Sequence, residues 1–324
     1  MRKDQVDDNT KGNYAGSYDS LSGRSYYIRM FFGETLLASG TCFFVSSPNG
    51  LILITNRHNF TGRDNITRKT IHDQCALPNH AVVSIYPTSQ SDIGADFLSG
   101  TSDSSQADKV FLSTNEVHYH IDLEDHDNPG EPSWVEHPTL GKHADIVALP
   151  VKELEDTIGK ESRVLDLSAP WYRWGVGSEL YVIGYPFGHV SAPFPIWSKG
   201  FMASEPDIDI SELPIFLIDC RSRKGQSGSP VWGRFGLGDV VEHEGKRFTP
   251  KGIINHFLGV YSGRLNSESD LGFVWKRSCI EELVNHAAAH GTQHQTTRRR
   301  CIFHAPPSHG ISLERLVSDN FEGD

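Results

Sequence analysis

The sequence predicts an all-β chain, a barrel or sandwich of short strands followed by one C-terminal helix. Short runs of β-branched and aromatic residues recur along it, as at Tyr26 to Phe32, Thr41 to Val45 and Leu51 to Thr55. Turn-forming residues separate these runs, and Ser46-Ser47-Pro48-Asn49-Gly50 has the composition of a hairpin connection. Strands at this spacing belong to barrels and sandwiches. The clear helical pattern begins at Ser278, an N-cap with Glu281 in the capping-box position, and puts Ile280, Leu283, Val284 and Ala287 on one apolar face.

Taken in order, residues 1–24 are rich in Asp, Asn, Gly and Ser without periodicity and read as a mobile leader. Ala81 to Tyr86 is a further strand. Between Tyr86 and His143 the pattern dissolves into Ser, Asp, Gly and His, with Lys109 to Leu112 and Val117 to Ile121 as the strands of an extended hairpin. His118, His120, His126 and His137, with Asp122 and Asp125, raise the question of a metal. Their spacing fits no recognised site and the chain has 16 histidines to scatter, so neither metal nor cofactor is expected. A second set of strands starts after residue 171: Ser178 to Gly184, Lys199 to Ser204, Ile215 to Cys220, Phe257 to Arg264 and Leu271 to Trp275. The tail from 291 carries Arg298-Arg299-Arg300 and a short amphipathic segment, Leu313 to Val317.

Composition excludes several function classes. A chain of 324 residues, 37% hydrophobic, can bury a full core as one large or two smaller domains. A formal net charge of −11 disfavours nucleic acid and anionic membranes as partners. No run approaches the roughly 18 apolar residues of a membrane span. Met1 to Asp8 lacks the apolar segment of a secretory signal, so a cytoplasmic location is expected and Asn65-Ile66-Thr67 is not read as a glycosylation site. Five cysteines, Cys42, Cys75, Cys220, Cys279 and Cys301, form no CxxC pair and suggest neither a disulfide framework nor a thiolate zinc site.

The chemistry concentrates in Lys224-Gly225-Gln226-Ser227-Gly228-Ser229-Pro230. A serine between glycines suits a tight turn that exposes its hydroxyl. The N–H groups of Gly225 and Ser227 can then converge as an oxyanion hole, where negative charge on an attacked carbonyl is stabilised. A base and a carboxylate are also present. Leu51 to Ile54 ends in Thr55-Asn56-Arg57-His58, and His143-Ala144-Asp145 opens the apolar run Ile146 to Val151. Each lies beside a core strand, whereas Asp122, Asp125 and Asp127 sit in a polar loop with nothing to fix them.

With His58, Asp145 and Ser227 in this order, the chain resembles the trypsin-like serine peptidases of the chymotrypsin fold. It is closest to the bacterial high-temperature-requirement and glutamyl-endopeptidase types, whose motifs read TNxHV and GNSGSP, and Ser178 to Gly188 is similar to a strand and loop of the former. The resemblance implies two antiparallel β-barrels and a C-terminal helix. Residues 25–155 would form the N-terminal barrel with an insertion at 87–140, 156–277 the second barrel, 278–290 the helix and 291–324 the tail. It implies a serine endopeptidase with Ser227 as nucleophile, His58 as general base and Asp145 orienting it.

Departures from the family pattern carry expectations of their own. Asn59 stands where secreted animal relatives have a cysteine that pairs with one near Cys42, and Gln226 stands where zymogen-activated relatives have aspartate. Activation by N-terminal cleavage is therefore not expected, and only about 35 residues follow the helix, so no PDZ-like module is expected.

In this fold Arg221, Lys224, Ser262, Gly263 and Arg264 would line the substrate cleft, and the three cations predict a preference for acidic side chains. The alternative is that they point to solvent and balance an acidic protein. Expected partners are a protein or peptide substrate and a regulator. Two other readings stay open: an inert binding protein on the same fold, and a latent effector protease activated by a partner.

Overall fold

The computed structural model describes residues 19–86, 117–125, 128–151, 154–158, 163–188, 194–266 and 268–290. The expected strand at 109–112 and the tail at 291–324 lie outside them. The first half contributes β1 (Tyr26–Phe32), β2 (Thr35–Ser47), β3 (Gly50–Thr55), the one-turn helix α1 (Arg57–Thr61), β4 (His80–Ile85), β5 (Val117–Asp122), β6 (Val135–Glu136) and β7 (Val147–Pro150). Their ladder runs β5-β4-β1-β2-β3-β7-β6, every pairing antiparallel.

After α2 (Glu155–Ile158) come β8 (Glu179–Gly184), β9 (Ile196–Met202), β10 (Ile215–Cys220), β11 (Pro230–Phe235), the hairpin of β12 (Val241–His243) and β13 (Lys246–Phe248), β14 (Ile254–Arg264) and β15 (Leu271–Lys276). Six of these close into a barrel in the order β10-β15-β14-β11-β8-β9. The helix α3 (Arg277–His290) ends the described chain. The architecture is thus all-β with a C-terminal helix: one closed barrel and, where a second barrel was expected, a seven-stranded sheet whose ladder ends at β5 and β6 among the described residues.

Continuous apolar runs in the sequence have a physical cause here. Residues 51–55 of β3 are all buried, because the strand separates two apolar layers. Leu51 and Leu53 face a cluster with Phe44, Val83 and Ile121, while Ile52 and Ile54 face a cluster shared with Ile183, Trp232 and Phe257 of the second half. Phe43 and Phe44 of β2 divide in the same way. Ile280, Leu283, Val284 and Ala287 seal the shared layer from α3, the face predicted from periodicity. A third cluster, including Leu180, Val182, Ile218, Leu258 and Val274, fills the closed barrel. Each such aliphatic side chain stabilises the fold by roughly 1.5–3 kcal/mol.

Three expectations need correction or addition. Helix α3 begins at Arg277, so Ser278 lies inside its first turn, and Glu281 accepts from Arg277 Nε at 2.6 Å instead of closing a capping box. Residues 20–24, read as part of a mobile leader, form a 3-10 turn with Leu21 buried and Asp19 paired to Arg234 at 2.8 Å. One leucine in a polar stretch gave no periodicity to detect. The β12–β13 hairpin was not anticipated, since its strands are three residues each.

Candidate active site

Strand β3 delivers Asn56 and α1 to the edge of the shared layer. Asn56 precedes α1 but does not cap it with its side chain; its Nδ2 donates to the Asp145 carbonyl oxygen at 2.6 Å. This bond ties the turn that carries His58 to the segment entering β7. The Asp145 carboxylate completes the link. Its Oδ1 accepts from the His58 backbone N–H at 2.9 Å and its Oδ2 meets His58 Nδ1 at 2.6 Å. A third donor, Ser262 Oγ of β14, reaches Oδ2 at 2.5 Å. With Nδ1–H pointed at a carboxylate, the neutral ring keeps Nε2 as its acceptor.

The electrostatics suit a base. Burial disfavours the His58 imidazolium, but the Asp145 charge and hydrogen bond, with a smaller contribution from Asp64, outweigh it and hold the His58 pKa above its ordinary value.

The Ser227 turn is fixed from several sides. Gly225 and Gly228 have φ of +94° and +88°, and a Cβ there would lie 2.3 Å from the Tyr185 carbonyl oxygen and 2.0 Å from that of Thr41, respectively. Only glycine fits either position. Lys224 C=O accepts from Phe187 N–H at 2.6 Å and Gln226 C=O from Ser229 N–H at 2.9 Å. In a trans peptide the N–H points opposite the C=O. The N–H groups of Gly225 and Ser227 are thereby turned away from those partners, and neither donates to a protein acceptor among the described residues.

Tethers from both halves converge on this turn. Ser227 C=O accepts from Thr41 N–H at 2.8 Å and from Asn59 Nδ2 at 3.3 Å. Thr41 Oγ1 donates to Gly225 C=O at 2.9 Å, and Gly228 N–H donates to Tyr261 C=O at 2.9 Å. Gln226, fully buried, accepts from Arg223 N–H at 2.7 Å and donates to Ser198 Oγ at 2.8 Å, so a neutral amide braces the loop from within. Ser227 Oγ itself makes no hydrogen bond to His58 among the described residues.

The structure therefore brings His58, Asp145 and the Ser227 turn to one locus. Asp125 instead organises its own loop, accepting from Asn128 N–H at 3.3 Å, and Asp122 stands opposite His80 on β5; Asp127 lies outside the described residues. Of the cleft residues, Arg221, Lys224 and Arg264 are exposed, Gly263 adopts φ +138°, and Ser262 is turned to Asp145. Beneath the turn, buried Ser222 hydrogen-bonds the Tyr261 hydroxyl.

Sequence reasoning missed Thr41, Asn56 and the positive role of Asn59 and Gln226. The neighbourhood of His58 in the motif could have flagged Asn56 and Asn59, but Thr41 had no local signature. Among the described residues no group of three or more His, Cys, Asp or Glu is arranged to hold a metal, and no helix is long and apolar enough to cross a membrane. His126 lies outside them; His120 stacks on His80 at 5.8 Å, and His137 accepts from the Leu140 N–H at 3.3 Å.

No family model and no curated protein matches the sequence. Solved structures do show similarity. A serine endoprotease from Yersinia pestis is 10% identical with a TM-score of 0.42, over 83% of this chain and 64% of that one. This chain thus spans less than two thirds of the Yersinia protein. The thermostable serine protease AL20 from an extremophilic microorganism is 14% identical with a TM-score of 0.45, over 84% of this chain and 99% of that one. The protease Anisep from Arthrobacter nicotinovorans is 13% identical with a TM-score of 0.42, over 86% of this chain and 100% of that one.

Proposed function

We propose that the protein is a serine endopeptidase that works through an acyl-enzyme on Ser227. His58 Nε2 takes the Ser227 proton as Oγ attacks the peptide carbonyl, then returns it to the leaving amine. Asp145 holds the ring and stabilises the imidazolium. The N–H groups of Gly225 and Ser227 receive the developing oxyanion. Water repeats the sequence on the ester, releasing acid and regenerating Ser227. The observation that carries this reading is the doubly held pair, with Asp145 bonded to both the ring and the backbone of His58 at 2.6 and 2.9 Å.

The test is covalent labelling by a fluorophosphonate. Labelling of the purified protein that disappears in Ser227→Ala and His58→Ala supports the reading, and labelling elsewhere or absent under every condition, with extract included, overturns it.

The motif resemblance favours the high-temperature-requirement and glutamyl-endopeptidase types within the trypsin-like group. A preference for acidic side chains in the primary pocket would draw on the charge of Arg221, Lys224 and Arg264, all three of which are exposed to solvent. Free thiols at Cys42, Cys75, Cys220 and Cys279 suit a reducing, cytoplasmic setting.

A second reading, a protease latent until a partner engages it, rests on Ser227 Oγ being unbonded to His58. Catalytic hydrogen bonds commonly tighten only when substrate binds. Turnover that appears only on adding cell extract favours latency, and full turnover by the purified chain rejects it.

A further inference from the structure

Beside the base lies a cavity of about 410 Å³ whose wall is shared with α1. Arg57, Phe60, Arg63, Arg68, Trp134 and Lys142 line it. Its floor is aromatic, with the rings of Phe60 and Trp134 tilted at a centroid distance of 5.5 Å. Its rim is cationic. Arg57 is neutralised by Glu136 at 2.8 Å, but Arg63, Arg68 and Lys142 have no carboxylate within ion-pair distance among the described residues. Arg68 is aimed by Asn65 Oδ1 and the Lys142 carbonyl oxygen, each at 3.0 Å. The indole N–H of Trp134 is buried and unpartnered among the described residues.

We propose that this cavity binds an acidic segment of the polypeptide substrate, a carboxylate side chain next to an apolar one, a few residues from the scissile bond. The proposal rests on the reading of His58 as the base of a peptidase and extends it to specificity. Three unmatched cations on a chain of net charge −11 are a local inversion of sign, which draws and orients an anionic partner. Guanidinium groups match carboxylates in a bidentate manner. The Phe60 and Trp134 rings supply apolar contact. Because α1 carries Arg57, Phe60 and His58 within one turn, an occupant of the cavity lies against the same turn as the base. Asp64, close enough to His58 to affect its charge, would oppose the anion from the base side.

The test uses internally quenched peptides in which glutamate or glutamine is scanned along both sides of the cleavage point near a phenylalanine. It reads the ratio of kcat/KM for each glutamate peptide to its glutamine isostere. At one or two positions away from the cleaved residue the ratio is expected to be about tenfold or more, and to fall to unity or below in Arg63→Glu and Lys142→Glu. Binding of the same labelled peptides to Ser227→Ala, read by fluorescence anisotropy at low and high salt, gives a second measurement that needs no turnover. Salt-sensitive binding of the glutamate peptide, lost in Arg63→Glu, upholds the cavity even if no peptide is ever cut. Equal affinity for both peptides and equal turnover overturn it, leaving the catalytic reading untouched.

Discussion

The side-chain amide of Asn59 donates to the backbone carbonyl of Ser227 at 3.3 Å, so the residue after His58 holds the main chain of Ser227. The same Nδ2 donates to Thr55 Oγ1 at 2.9 Å and fills the space over Gly40, where a Cβ would come within 2.7 Å of it. Asn59→Ala removes this bridge and leaves Thr41 as the remaining tie to Ser227 C=O. Stability should fall by about 1 kcal/mol, seen in the urea midpoint. The kcat should drop roughly tenfold, because small misplacements of a reacting group are costly.

Asp145→Asn should lower kcat about 10⁴-fold by presenting the wrong His58 tautomer. The pH profile carries a second signature. Asp145 raises the His58 pKa, so wild-type kcat/KM should rise with pH through a midpoint above the ordinary histidine value. Loss of the charge should move that acid limb of the residual activity to lower pH. A limb that stays in place would show that another group titrates.

Ser262→Ala removes a donor from Asp145 Oδ2 without touching the ring. The carboxylate then keeps more of its charge for His58, and the acid limb should move to higher pH. A several-fold loss of kcat should accompany it. An unchanged profile would assign Ser262 to substrate contact, its role expected from the motif.

Gly225→Ala places a methyl group 2.3 Å from the Tyr185 carbonyl oxygen at φ +94°. The turn must shift, displacing the Gly225 N–H that the proposed mechanism assigns to the oxyanion. The expected loss in kcat is about 10²–10³-fold. Circular dichroism should still show a β fold.

His256 gives a stability prediction independent of catalysis. Burial first, and then the Arg277 charge, push its pKa down from 6.5 to about 3. The folded state therefore keeps the ring neutral where the unfolded chain takes up a proton. Stability is fully present above the ordinary pKa and is lost as pH falls toward about 3, at no more than about 1.4 kcal/mol per pH unit. His256→Phe, keeping an aromatic ring against Trp171 and Tyr172, should flatten the dependence of Tm on pH below 6.5.

Much of this was legible in the sequence because it is written locally. The β3 run, the face of α3 and the glycines around Ser227 each follow from neighbours a few positions away. His58 and Asp145 could be singled out because each adjoins an apolar strand. What escaped is non-local. Thr41 reaches Ser227 and Gly225 across more than a hundred and eighty positions, and no spacing encodes that contact. Leu21 looked like part of a polar leader because its pocket is built by strands that come much later. Ser262 was read as a cleft residue because only the registry of β14 shows its hydroxyl turned to Asp145.

That strand has one more implication. Consecutive residues of β14 hold two sides of the candidate site: Tyr261 bonds the main chain of Gly228 and Ser229, and Ser262 bonds the Asp145 carboxylate from the other sheet. A slip of this single ribbon would loosen the Ser227 turn and the Asp145 carboxylate together, so the two are coupled through one stretch of backbone.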